Sequence, residues 1–192
     1  MTSDGFLSRG VAARPRVKAV HVAQKLKGVL AALVVIALAC ARAPDRGSDE
    51  ALEPVRVSQL TQIGDPRRQA SQRLVVAGLE SDAAGQGERA LATYERALRV
   101  DGTNPYAYLA LARYWIEAGD PERGVSLVDQ AEVLLDASGE STLGARVHVV
   151  GLRGRAGVLR EHTAEAADQL RQAADLAPQV WGDGILSADE LR

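Results

Sequence analysis

The hydrophobic pattern divides the chain into three stretches. Residues 29–41 form an uncharged apolar run of 13 residues, preceded by Lys25 and Lys27. Residues 41–50 are polar, contain Pro44 and Gly47, and have no helical period. Val55, Val57, Leu60 and Ile63 follow, mildly apolar, able to dock on the domain but not patterned as a strand. From residue 65 to about 180, small and apolar residues recur at spacings of three and four, which predicts helices. Asp65-Pro66 and Asp120-Pro121 pair a side-chain acceptor with a proline in the first turn, and Thr163 offers another cap. Gly85 and Gly119 predict helix ends.

The periodic stretch repeats itself. Adding 34 to Leu74, Gly78, Gly85, Ala90 and Ala97 gives Tyr108, Ala112, Gly119, Gly124 and Ala131, with size class largely kept. Small residues at Gly78, Ala90 and Ala97 would let two helices cross closely, and Tyr94 and Trp115 would fill the space they leave. A third unit shows Gly154, Ala166, Leu170, Ala173 and Pro178, but Arg153 and Glu161 replace the expected Leu and Gly. Its spacing from the second unit is 42 (124 to 166), so eight extra residues fall around 136–144 as a longer loop or a longer first helix.

These residues resemble the tetratricopeptide repeat, whose unit is a 34-residue helical hairpin. Ala77-Gly78, Gly85, Ala90, Tyr94 and Ala97 carry the likeness in the first unit. Leu111-Ala112, Trp115, Gly119, Gly124 and Ala131 carry it in the second. The resemblance implies an all-α solenoid of about three repeats over residues 65–180, with units near 71–104, 105–138 and 147–180. Residues 181–192 would form a cap or tail, docking Ile185 and Leu186. A capping-box spacing at Ser187 and Glu190 predicts a short last turn. In this family the first helix of each repeat lines a concave groove for a peptide or partner helix. The matching outward positions are Gln72, Val75, Leu79 and Asp82, then Tyr106, Leu109, Arg113 and Glu117, with His148 and Arg155 continuing the row. Val75, Leu79, Leu109 and Arg113 replace the Lys and Asn of carboxylate-clamp members, which disfavours capture of an acidic C-terminal tail.

Composition sharpens this reading. Aromatic residues are 4% of the chain, so the core must be built from Ala, Leu and Val, which suits helices. The net charge of −2 hides an uneven split: residues 1–39 carry +5 and the rest −7. No global basic excess suggests a nucleic-acid partner. A single cysteine excludes an intrachain disulfide and a cysteine metal cage.

The basic head and short apolar run have the form of a signal peptide, since a spanning helix needs about 20 apolar residues. The run closes on Ala37-Leu38-Ala39-Cys40. This resembles the lipobox of bacterial lipoproteins, although Leu38 stands two residues before the cysteine rather than three. The resemblance implies cleavage of residues 1–39, lipidation of Cys40, and a flexible tether over 40–64. The protein would be lipid-anchored outside the cytoplasm, and Ala41 would favour the outer membrane in a Gram-negative cell. The basic stretch is long, and a start at Val17, Val20 or Val22 would shorten it. The alternatives are an uncleaved single span carrying the same domain, or a fragment that completes its solenoid with a partner.

Candidate chemistry is sparse. Asp183-Gly184-Ile185 with Glu190 resembles half an EF-hand loop, but Gln179 and Trp181 stand where the first ligands belong. His148 and His162 lie 14 apart, without metal-ligand spacing. No catalytic triad or phosphate-loop spacing occurs. The sequence therefore predicts no enzyme, metal or cofactor. It predicts a scaffold for a protein or peptide of the cell envelope, with self-association left open.

Overall fold

The computed structural model describes residues 52–160 and 164–192. The apolar run with Cys40, and the predicted cap at Thr163, lie outside the described residues. Within them the structure is all-helical: α1 (Val57–Leu60), α2 (Pro66–Ala83), α3 (Gly87–Val100), α4 (Pro105–Glu117), α5 (Pro121–Ser138), α6 (Leu143–Arg160), α7 (Ala164–Leu176), α8 (Pro178–Trp181) and α9 (Ala188–Leu191). Three hairpins, α2/α3, α4/α5 and α6/α7, stack in order as a short solenoid. The first helices α2, α4 and α6 pack side by side and make one face.

The helix ends follow the sequence. Asp65 accepts from the Arg67 and Arg68 backbone N–H groups at 2.8 and 3.0 Å, and Asp120 accepts from Arg123 N at 3.1 Å. Asn104 caps α4 in the same way, accepting from Tyr106 N. Each cap satisfies donors that a helix start leaves open, about 1 kcal/mol apiece. Gly85 and Gly119 close α2 and α4 with φ of +72° and +88°, where a side chain would be strained.

Small residues set the spacing inside the hairpins. A Cβ on Gly78 would lie 2.4 Å from the Tyr94 ring, so the fully buried Tyr94 packs directly on the α2 backbone. In the third hairpin a Cβ on Gly154 would lie 2.7 Å from Leu170 N, so α6 and α7 touch backbone to backbone. Trp115 departs from expectation. It stays half-buried, with the Arg123 guanidinium 3.8 Å from its ring centre, and Ile116 instead fills the space at Gly124. One residue along a helix is a rotation of about 100°, enough to move the filling role to the neighbour. The eight extra residues lengthen helices rather than a loop: α5 and α6 each have 18 residues, against 14 and 13 in α3 and α4.

One end of the solenoid is tied by Arg68. Its guanidinium donates to Asp101 at 2.5 Å, to Glu140 at 2.8 Å and to the Thr103 carbonyl at 2.9 Å. It thereby joins the first hairpin to the loops that precede α4 and α6. Burial alone would raise the Asp101 pKa, but hydrogen bonds from Thr103 and Arg68 hold it below the usual value. Partnering on this scale is what makes a largely buried charge tolerable.

Two expectations about the chain ends change. The sequence places residues 52–63 within a flexible tether whose residues 55–63 are able to dock. They are docked, with Val57 fully buried and α1 packed on α2. Residues 181–192 do form a cap, but only Leu186 of the expected pair goes in. Leu186 is 1% exposed and Ile185 36%. The two are adjacent in an extended stretch, so their side chains point opposite ways.

Candidate functional site: the face of the first helices

The groove positions lie on α2, α4 and α6, yet most are closed to solvent. Gln72, Leu79, Tyr106, Leu109 and Arg113 are between 0 and 6% exposed, and Val75 and His148 are fully buried. The expectation that these side chains face an open groove is therefore corrected. The physical reason is that residues 52–63 and 181–192 of the same chain cover the face.

The N-terminal strap, residues 52–63, is held by polar clamps. The His148 Nε2 lies 2.9 Å from the Val55 carbonyl, so Nε2 carries the proton and donates. Val55 N donates to the Gly144 carbonyl at 3.0 Å. Gln72, with its amide nitrogen turned toward the strap, donates to the carbonyls of Leu60 and Ile63 at 2.5 and 3.2 Å. Gln179 Nε2 donates to the Leu52 carbonyl at 2.9 Å. A Cβ on Gly144 would meet the Glu53 carbonyl at 2.6 Å, so only glycine lets the strap lie this close to α6.

The C-terminal segment completes the cover. The fully buried Trp181 sits on α6, where a Cβ on Gly151 would lie 2.4 Å from its indole. Its ring centre is 6.3 Å from that of His148. α9 then packs against α2. Burial pushes the His148 pKa down to about 4, opposed in part by the Val55 hydrogen bond, so the ring is neutral at pH 7.

A charged ladder also crosses this face, and only its Glu117–Arg155 rung keeps access to solvent. Arg113 of α4 pairs with Asp82 of α2, which also accepts from the Tyr94 hydroxyl at 3.2 Å. Glu117 of α4 pairs with Arg155 of α6 at 3.1 and 3.3 Å. Burial lowers the Arg113 pKa, and the Glu117 charge offsets this in part. Of the predicted groove residues, the structure thus aligns Asp82, Arg113, Glu117 and Arg155 across all three first helices. Glu117 and Arg155 keep access to solvent.

Other candidate groups are spent locally. Asp183 accepts from Ile185 N at 3.0 Å, and Glu190 accepts from Ser187 N at 2.8 Å in a capping box. Among the described residues no group of three His, Cys, Asp or Glu side chains could hold a metal. His162 lies outside the described residues. The strap residues Val55 and Val57, and Gln179, escaped the sequence reading as functional positions. For the two valines the one advance signal was the mild apolar spacing of 55–63, and Gln179 had none.

A family model for the tetratricopeptide repeat matches residues 83–148. That stretch runs from the end of α2, through the second hairpin, to His148 of α6. The chain therefore contains tetratricopeptide repeats, a type of module that generally binds protein partners and is typically non-catalytic. No match is found among curated proteins or solved structures.

Proposed function

We propose that this protein is a membrane-anchored bacterial lipoprotein. Its repeat domain would act as a non-catalytic scaffold or assembly factor in the cell envelope. The observation that carries the scaffold role is the stack of three hairpins, with a charged ladder across its first helices. The anchoring rests on Ala37-Leu38-Ala39-Cys40 at the end of an uncharged run behind Lys25 and Lys27. No helix among the described residues is long and apolar enough to cross a membrane. Two or more acyl chains give stable attachment where one does not.

Intact-mass analysis of the protein from its host's membrane fraction tests the anchor. A species beginning at Cys40 with added acyl chains is expected. An unlipidated mass that retains residues before Cys40 removes the lipoprotein. Crosslinkers placed at Glu117 and Arg155, the open rungs of the ladder, test for envelope partners in the same membranes.

A further inference from the structure

The segment that closes the groove over α2 is built unlike the rest of the molecule. Residues 185–192 form one turn closed on itself. Ser187 Oγ accepts from Glu190 N at 3.2 Å while Glu190 accepts from Ser187 N. Its shape therefore needs nothing from the groove. It joins α8 through Gly182-Asp183-Gly184, with Gly184 at φ +76°.

The turn presents Leu186 and Leu191, five residues apart, with Ala188 between them. All three are buried, at 1, 0 and 6% exposure. Asp189 points outward, its side chain 64% exposed. Among the described residues its one backbone-to-backbone bond to the rest of the molecule runs from Ser58 N to the Arg192 carbonyl, at 2.7 Å, and Ile185 N donates to the Asp183 carboxylate in the link. The Arg192–Glu80 pair, at 3.9 Å, lies largely in water, where such pairs hold weakly. The segment is preformed, joined through a short glycine-containing link, and held mainly by two leucines. It packs on α2, on the face made by the first helices.

We propose that residues 185–192 are an intramolecular stand-in for a partner's segment. The groove over α2 accepts a short helical turn with two leucines five residues apart and acidic side chains facing outward. A partner carrying that turn displaces the stand-in, which swings out about Gly182 and Gly184. The inference rests on the protein-binding reading above and names the chemistry of its partner. Because the stand-in is tethered, its effective concentration is of millimolar order, and it competes strongly with any free segment.

The test uses the full chain and a labelled peptide of residues 182–192. Leu186→Asp with Leu191→Asp disables the stand-in. The peptide is expected to bind the double variant at least about tenfold more tightly than the unaltered chain, because the tethered competitor is gone. A scrambled peptide should bind neither. Equal binding to both chains, or no binding to a variant with native helicity, overturns the proposal. If the variant does not fold, hydrogen exchange on the unaltered chain decides. The amides of Glu190, Leu191 and Arg192 are expected to exchange at least about 100-fold faster than those of α4, through local opening. Exchange at the α4 rate makes the segment an inseparable part of the fold and sinks the idea. Either failure leaves the crosslinking test of protein binding untouched. Conversely, peptide binding without envelope crosslinks would keep the groove and discard the proposed partner class.

Discussion

The strap of residues 52–63 and the turn of residues 185–192 both pack on the face of the first helices, the strap on α2 and α6 and the turn on α2, by different means. The strap buries Pro54 and Val57, lays Leu52, Val55 and Leu60 against the core, and is in addition clamped by hydrogen bonds from buried His148 and Gln72. The turn inserts two leucines and makes one backbone bond. Hydrogen bonds to fixed buried groups specify a register, since a slip leaves a buried donor unpaired at a cost of about 1–3 kcal/mol. Apolar burial specifies area far more than position. The strap is therefore a fixed part of the domain, while the turn is the part another segment can replace.

The largest test of this contrast is Trp181→Ala. The indole is buried on Gly151 and roots the C-terminal turn, so its removal should cost about 3–5 kcal/mol in denaturant unfolding. A cost under about 1 kcal/mol would place the root elsewhere.

The strap's clamp should respond to pH. The folded pKa of His148, about 4, is below its ordinary 6.5. Above 6.5 neither state binds the proton and the stabilisation is complete. As pH falls through 6.5, the unfolded state takes up the proton first. Stability then declines until the folded ring titrates near 4, a loss on the order of 3 kcal/mol. Unfolding between pH 6.5 and 5, above the ordinary carboxylate range, isolates the effect. His148→Gln, which can still donate to Val55, should flatten it. An unaltered slope in that variant would assign the dependence to another group.

Gly144→Ala is expected to cost about 1–3 kcal/mol, because the added Cβ meets strap backbone rather than a movable side chain. Proteolysis should then rise within 52–63 and stay unchanged within 185–192. Equal loosening of both segments would mean that they dock as one unit. The smallest effect belongs to Gln179→Ala. Its bond to the Leu52 carbonyl is exposed, and about 0.5 kcal/mol or less is expected from unfolding.

Much of the architecture was readable residue by residue. Asp65-Pro66 and Asp120-Pro121 mark helix starts because capping is a contact between neighbours in sequence. Gly85 and Gly119 mark helix ends because positive φ is a local demand. The 34-residue offset revealed the hairpins because each repeat solves the same packing problem. The groove was misread where this locality failed. Gln72, Leu79, Tyr106 and Leu109 occupy outward positions in their repeats, and a repeat considered alone leaves them in water. Val55, Val57, Leu60 and Ile63 carried a faint sign of docking but no address.

The local chemistry of the chain therefore settled which segments are helices, where they stop, and how they pair into hairpins. It also settled the Ser187–Glu190 turn, whose bonds span three residues. Whether the resulting face is open was decided only by the fold. That outcome depends on residues 52–63 meeting His148 and Gln72, and on Leu191 meeting α2, across distances in sequence at which no periodicity reaches. Short-range geometry is written in neighbouring residues. The occupancy of a surface emerges only when the whole chain competes for it.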